Sequence, residues 1–233
     1  MNDESLDDES SLPPQPSLRG TSTLRPKLIL VTDSSYPDDR VIEVVEACAS
    51  ALPRGAFAVQ LRDKKKEEPA LRAFAERLRT VTKEHGQIFM VNGHVPLARD
   101  VGADGIHLGG SDVRVQQARA VFGEAGQALF VTIAAHSDQA VKLGAKDGAD
   151  GALVSAIFAS PGKAVGRGVD ALRTARVSAP KGFRVYALGG VDRTNAQECY
   201  LAGADGVAMI RALLLASDPA AQALAIHDSL IGD

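Results

Sequence analysis

The chain has 233 residues, of which 45% are hydrophobic, and a formal net charge of −3. This length suits one domain around a single core and is short for two, and without a run of 18 apolar residues we predict no transmembrane helix. Two cysteines, Cys48 and Cys199, lie in helical patterns and indicate buried thiols of a reduced, cytoplasmic protein rather than a disulfide or metal framework.

Residues 1–24 differ in composition from the remainder. They contain five acidic residues against Arg19 alone, several prolines and no aromatic residue, which predicts a disordered acidic tail. The remainder, 25–233, carries a net charge of about +1 and has no extended basic patch. We therefore expect neither nucleic acid nor a membrane as a partner, and a homo-oligomer stays open.

From Lys27 onward, short apolar runs alternate with amphipathic segments. Such runs are typical of parallel strands that helices cover on the outside. The predicted strands are 28–31, 57–62, 88–91, 106–108, 129–133, 152–154, 184–188 and 207–210. The clearest predicted helices are 38–51, 68–84 and a last one over 212–226.

The tetrapeptide Gly-Ala-Asp-Gly occurs three times, at 102–105, 148–151 and 203–206. Each copy follows a helical pattern and precedes an apolar run, so its first glycine suits the left-handed position that ends a helix. The spacing of the copies corresponds to two βα units of roughly 23–28 residues each. The sequence therefore predicts an α/β protein with a single (β/α)₈ TIM-barrel domain over 25–233. The tetrapeptides precede the strands and are expected at the N-terminal end of the barrel, which serves stability. The functional site is expected at the C-terminal ends of the strands.

Polar residues follow the second predicted strand. Gln60, Arg62 and Lys64 alternate, so in an extended segment all three side chains point the same way. An amide, a guanidinium and an ammonium together suit a phosphate or diphosphate, although Lys65 and Lys66 also fit a solvated basic loop.

A second candidate anion site follows strands seven and eight. Gly189 and Gly190 after strand seven, with Ile210 and Arg211 after strand eight, match the phosphate cradle common in such barrels. His136, at the end of strand five, suits acid–base chemistry or is simply a histidine at a helix start.

These strand ends, in this order, resemble the thiamine phosphate synthase/TenI family over residues 27–215. The matching segments are Gln60-Leu61-Arg62-Asp63-Lys64, Asn92, 102–112, Gly189-Gly190 and 203–211. The resemblance implies a synthase that joins hydroxymethylpyrimidine diphosphate to a thiazole phosphate and releases pyrophosphate. It further implies that Arg62, Lys64, Asn92 and Lys163 bind the diphosphate and that Asp112 is a Mg²⁺ ligand.

The sequence departs from the synthase pattern at several positions. Gly93 replaces a second metal-binding aspartate, Ala134 replaces a diphosphate-binding serine, and Ser160 and Gly162 replace threonines. Asn92-Gly93, Ala135-His136-Ser137 and 166–169 instead resemble the TenI branch, whose enzymes tautomerise a carboxythiazole phosphate.

We therefore expect a TenI-like thiazole tautomerase with His136 as its acid–base group and no cofactor. One alternative is a Mg²⁺-dependent thiamine phosphate synthase acting on the phosphorylated thiazole and the pyrimidine diphosphate. A further alternative is a non-catalytic regulator that binds thiamine intermediates and engages a partner through its acidic tail.

Overall fold

A computed structural model describes residues 22–109, 113–160 and 165–231. All but the last three residues of the predicted acidic tail, 1–24, lie outside these ranges. Its predicted disorder therefore stays a prediction.

Eight parallel strands form a closed barrel in which each strand pairs with the next and β8 pairs with β1. The strands are Leu28–Val31 (β1), Phe57–Leu61 (β2), Ile88–Asn92 (β3), Gly105–Leu108 (β4), Phe130–Ala135 (β5), Gly151–Ser155 (β6), Arg184–Leu188 (β7) and Gly206–Met209 (β8). The predicted single-domain TIM barrel is confirmed, and each predicted strand is present to within two residues at either end.

Helices follow every strand and cover the outside of the barrel. They are Asp38–Ala51 (α1), Ala70–Glu84 (α2), Val95–Asp100 (α3), Val115–Val121 (α4), Asp138–Lys146 (α5), Asp170–Ser178 (α6), Ala196–Leu201 (α7), Arg211–Leu214 (α8) and Pro219–Ser229 (α9). A 3₁₀ helix, Gly123–Gln127, follows α4.

The prediction of one last helix over 212–226 is wrong, because two helices occupy this segment. The first ends at Leu214, and the second begins at Pro219 after Asp218, whose carboxylate accepts a hydrogen bond from the Ala221 N–H. A proline cannot donate its own N–H and is favoured in the first helical turn, so Asp218-Pro219 starts a new helix rather than continuing the old one.

The barrel separates two apolar cores. Strand residues that face outward pack against the helices, as Val59 and Val185 do. Inward-facing residues form a smaller cluster. Its members are Ile29, Val31, Ala58, Ile88, Met90, Phe130, Leu153, Tyr186 and Ala208. The interior is thus a packed core, and polar side chains such as Gln60 and His107 lie at its upper end, formed by the C-terminal ends of the strands.

The three Gly-Ala-Asp-Gly segments have the predicted position at the beginnings of β4, β6 and β8. The first glycine of each copy is left-handed, with φ of 63°, 94° and 98°. The second begins the strand so close to its neighbour that a side chain does not fit: a Cβ on Gly206 would lie 2.4 Å from the Lys27 carbonyl oxygen. Close backbone approach therefore requires glycine here.

The aspartate of each copy makes the same two bonds. In the second copy, the Asp150 carboxylate accepts hydrogen bonds from the Val131 N–H (2.7 Å) and from Arg119 Nη2 (2.8 Å). Asp104 bonds in this way to Phe89 and Arg79, and Asp205 to Val185 and Arg176. The arginine always comes from the helix before the odd-numbered strand, so one carboxylate joins a helix, a strand and the next turn.

Both cysteines are buried and unpaired, as predicted. Burial raises the pKa of each thiol to about 12, which leaves both protonated at neutral pH. Among the helices in the described ranges, none has the length and apolar character needed to cross a bilayer.

The second Asp–Arg pair is the most deeply buried of the three, because the Arg119 side chain is only 1% exposed. Burial raises the pKa of Asp150, against the lowering effects of the Val131 N–H and Arg119. We predict that Asp150→Ala lowers the free energy of unfolding by about 3 kcal/mol, because it leaves a buried guanidinium without its counter-charge. Urea unfolding measures this loss.

Asp205→Ala is the matched control. Asp205 and Arg176 are each about one-third exposed, so solvent already screens the pair. We expect a loss of about 1–2 kcal/mol, mainly from the unsatisfied Val185 N–H. Equal losses in the two variants would contradict the burial argument.

Candidate functional site

Those of the polar residues predicted from the strand ends that lie within the described ranges are at the C-terminal end of the barrel, opposite the tetrapeptide turns. Thr32, just after β1, and Arg62, just after β2, are joined at this end by two hydrogen bonds. The Thr32 hydroxyl donates to the Arg62 carbonyl oxygen (3.0 Å) and accepts from the Arg62 N–H (2.8 Å). This buried threonine therefore fixes the backbone that carries the guanidinium.

The alternation predicted for Gln60, Arg62 and Lys64 holds only in part. β2 ends at Leu61, so Gln60 faces the barrel interior while the other two belong to the following loop. Gln60 is 2% exposed and its Oε1 has no hydrogen-bond partner among the described residues. Arg62 is half-buried and Lys64 is exposed. The exposure of the three side chains therefore increases from Gln60 to Lys64, and they do not form one row on the same face.

Asp63 shapes the loop that presents these cations. Its carboxylate accepts hydrogen bonds from the backbone N–H groups of Lys65 (2.7 Å) and Lys66 (2.8 Å) and forms an ion pair with the Lys66 ammonium. Lys66 also pairs with Asp38 of α1. Lys66 is thus occupied in holding the loop, which leaves Arg62, Lys64 and Lys65 as the cations of this loop without a carboxylate partner among the described residues.

His107 lies inside the upper end of the barrel. It is 6% exposed, its Nδ1 lies 3.0 Å from the Thr132 hydroxyl, and β-pairing places Asn92 and Thr132 beside it. Burial, and secondarily the positive charge of Arg62, lowers the pKa of His107 to about 4. The ring is therefore neutral at pH 7 and contributes hydrogen bonding rather than charge.

A cavity of about 590 Å³ lies over the ends of β7 and β8. It is lined by Asp33, Ser160, Gly189, Gly190, Ile210 and Arg211, among others. The structure therefore brings together the four residues predicted for the phosphate cradle. Gly190 is left-handed, with φ of 66°, and a Cβ there would lie 2.5 Å from the Ala159 carbonyl oxygen. Only glycine permits this close approach of the loop after β6.

His136 lies at the start of the helix after β5, as predicted. Its Nδ1 is 3.1 Å from the Ser155 carbonyl oxygen at the end of β6. A carbonyl can only accept, so this bond requires the proton on Nδ1 and leaves Nε2 with a free lone pair in the neutral ring; the Ser155 hydroxyl, 3.4 Å from Nδ1, can donate to it only in the other tautomer. The exposed imidazole is thus oriented for proton transfer at Nε2.

The described acidic residues near this end are engaged in local turns. Asp33 accepts hydrogen bonds from the Ser35 hydroxyl and N–H, which lower the pKa of Asp33, and Asp192 holds Thr194 in the same way. Within the described ranges, no cluster of three or more potential metal-binding side chains occurs. These residues by themselves do not fit a Mg²⁺ site. Asp112 and Lys163 lie outside the described residues.

Four contributors were not predicted to have a role: Thr32, Asp33, His107 and Thr132. Thr32 and Asp33 directly follow β1, and position at a strand end is a signal available from the sequence. The contact of Thr132 with His107 depends on strand register, which the sequence does not show.

The low pKa of His107 predicts a pH-dependent loss of stability. In the unfolded chain histidine has a pKa near 6.5, so below that pH the unfolded state binds a proton that the folded state excludes. The stability contribution is constant above pH 6.5 and falls as the pH decreases toward 4. At pH 5 we expect the free energy of unfolding to be about 2 kcal/mol lower than at neutral pH because of this histidine.

Urea unfolding of wild type and His107→Gln at pH 7.5 and pH 5 measures this effect. The wild type should lose about 2 kcal/mol more than the variant between the two pH values. His94→Gln, at an exposed histidine, is the control and should behave as wild type. A wild-type loss no greater than that of His107→Gln would refute the assignment.

Comparison with known proteins identifies what the barrel resembles. Residues 28–213 match the TMP-TENI family model, described as thiamine monophosphate synthase. The chain is 39% identical over 197 residues to a thiamine-phosphate synthase of Gloeobacter violaceus, covering 83% of this chain and 54% of that protein. It is 38% identical over 198 residues to one of Thermosynechococcus vestitus, covering 84% and 53%.

The chain spans about half the length of these two relatives. A solved structure, thiamine phosphate pyrophosphorylase from Pyrococcus furiosus, aligns with a TM-score of 0.75 at 26% identity, over 90% of this chain and 98% of that one. The family match extends from β1 through most of α8, and therefore includes every strand end described above. The chain belongs to the thiamine monophosphate synthase family.

Proposed function

We propose that this protein is a thiamine phosphate synthase, which joins hydroxymethylpyrimidine diphosphate to a thiazole phosphate and releases pyrophosphate. The names of the similar proteins support this reaction over the tautomerisation expected from the sequence. It is the alternative that the sequence analysis left open.

The observation that carries the proposal is the presence of two anion-binding features at one end of the barrel. Arg62 and Lys64 follow β2, whereas the cavity with Gly189, Gly190 and Arg211 covers β7 and β8. The transfer reaction uses two phosphorylated substrates, a diphosphate and a monophosphate, whereas a tautomerase binds one. The cationic loop after β2 and the glycine-lined cavity over β7 and β8 would each bind the phosphate groups of one substrate.

The chemistry follows from the charges. As the bond between the pyrimidine methylene carbon and the diphosphate breaks, negative charge develops on the departing pyrophosphate, while the thiazole nitrogen bonds to that carbon. Thr32 holds the Arg62 backbone, so the start of the loop that carries the guanidinium is in place before the reaction begins. A positioned cation stabilises a developing anion without reorganisation, which makes it effective in the transition state.

A neutral His107 completes the interior wall below these cations. It keeps the wall polar and adds no positive charge that would compete with Arg62 for the phosphates. The thiazole phosphate, in this proposal, lies with its phosphate in the cavity at Gly190, where backbone N–H groups bind anions.

The thiazole tautomerase is the second candidate, and one observation favours it. The bond from His136 to the Ser155 carbonyl leaves Nε2 free for proton transfer. The non-catalytic regulator has its support in residues 1–24, of which 1–21 lie outside the described structure. Dependence on Mg²⁺ through Asp112, a cytoplasmic location and a homo-oligomeric state also stay predictions.

Two assays on one preparation of the full chain test the reaction. With both substrates and millimolar Mg²⁺, pyrophosphate release should be saturable in each substrate. His136→Asn should retain this release to within about fivefold, because the transfer needs no proton shuttle at Nε2. No release by the wild type, together with thiazole tautomerisation that His136→Asn abolishes, would establish the second candidate instead.

Arg62→Gln tests the role of the β2 loop. We expect kcat/KM for the diphosphate substrate to fall about 100-fold, as for loss of one positioned donor to a developing anion. Lys65→Gln is the matched control, because Lys65 is exposed in the same loop and its backbone, not its ammonium, bonds to Asp63. Equal effects of the two substitutions would indicate bulk electrostatics rather than a specific contact.

A further inference from the structure

A second cavity, of about 710 Å³, lies at the N-terminal end of the barrel, away from the proposed active site. It is bounded by residues 22–25, the end of α5, the turn before β6 and the loop that leads into β7. Phe130 and Arg184, the first residues of β5 and β7, contribute to its lining. Its position among the strand beginnings separates it from the C-terminal end of the barrel, where the proposed active site lies.

The lining of this cavity is strongly cationic. Its basic residues are Arg25, Lys142, Lys146, Lys181 and Arg184. Asp150 is the single acidic residue among the described lining residues, and its carboxylate is already bonded to the Val131 N–H and Arg119. Lys142 forms a salt bridge of 3.6 Å with Asp138 on the same helix, whereas the other four basic residues have no carboxylate partner among the described residues. The cavity therefore keeps an excess of positive charge, which favours an anion.

Arg184 is the central feature of the cavity. It is only 9% exposed, yet its guanidinium makes no hydrogen bond or ion pair with any described residue, while its backbone N–H donates to the Asp150 carbonyl oxygen. A guanidinium retains its charge at all physiological pH values, and its partial removal from water without a counter-charge is unfavourable. An anion in the cavity would supply the missing acceptor.

A second unsatisfied group lies further along the same face of β7. Tyr186, two residues after Arg184, is fully buried, and its hydroxyl has no hydrogen-bond partner among the described residues. Burial, and secondarily the negative charge of Asp205, raises the pKa of Tyr186, so the phenol stays protonated and can donate. The inner wall at this end thus contains donors without acceptors.

We propose that the N-terminal cavity is a binding site for a small phosphate-bearing anion, with Arg184 as its principal ligand and Arg25, Lys142, Lys146 and Lys181 around it. The planar fork of a guanidinium binds phosphate oxygens in pairs, and several ammonium groups suit a multiply charged ligand. The volume lies within the range usual for small-molecule sites, about 300–1,000 Å³. This site is distinct from the one that binds the substrates.

Residue-resolved NMR of the full chain, titrated with inorganic phosphate at constant ionic strength maintained with chloride, tests the proposal. The amides of Gly148 and Gly182 report on the N-terminal cavity, and those of Gly189 and Gly190 on the C-terminal one. We expect saturable shifts at Gly148 and Gly182. Arg184→Gln should weaken binding there about tenfold or more while the shifts at Gly189 and Gly190 persist.

Arg173→Gln is the matched control, because Arg173 lies on α6, outside the cavity, and pairs with Asp170. It should leave both sets of shifts unchanged. If Arg184→Gln does not fold, the double variant K142Q/K146Q provides the same test, since both lysines are exposed on α5. That variant should weaken binding at Gly148 and Gly182 several-fold.

Three outcomes would overturn the proposal. The first is shifts at Gly148 and Gly182 that do not saturate or that chloride alone reproduces. The second is unchanged binding in both Arg184→Gln and the double lysine variant. The third is phosphate binding seen only after the acids at positions 3, 4, 7, 8 and 9 are replaced by amides in the full chain, since the occupant would then be the protein's own carboxylates.

Discussion

The carboxylate of Asp150 bonds at once to the N–H of Val131 in β5 and to Arg119 of α4, and the same arrangement recurs at Asp104 and Asp205. Each aspartate fixes the turn before an even-numbered strand against the preceding odd strand and its helix. At Asp150, the most buried of the three, the Val131 N–H and Arg119 both favour the ionised carboxylate against the effect of burial, which raises its pKa. The interaction links β3 to β4, β5 to β6 and β7 to β8, which are three of the eight strand pairs, and the positions of the strand ends depend on register.

Because stability is concentrated at the N-terminal ends of the strands, the C-terminal ends are free to carry polar side chains. Thr32, Gln60, His107 and Thr132 close the upper end of the barrel with buried polar groups, which would be unfavourable in a core built only for stability. Gln60 Oε1 has no partner among the described residues. Unsatisfied polarity at this end is consistent with a surface built for a ligand.

The two ends of the barrel present positively charged groups to an anion in different ways. At the C-terminal end, a few cations and left-handed glycines are held by specific backbone contacts, as Arg62 is by Thr32. At the N-terminal end, a buried Arg184, whose guanidinium has no partner among the described residues, lies among exposed lysines from different elements. The first arrangement suits catalysis, which needs positioned charge, and the second suits binding alone.

The sequence by itself determined the order of the elements, the barrel and the end at which the chemistry lies, because helix stops, strand starts and the tetrapeptide repeat are local patterns. It also placed Arg62, Lys64, Gly190 and His136 near strand ends. Only the tertiary structure decided the low pKa of His107 and the cationic cavity around Arg184. Those properties depend on burial and on neighbours from distant parts of the chain, which strand register brings together and no local pattern encodes.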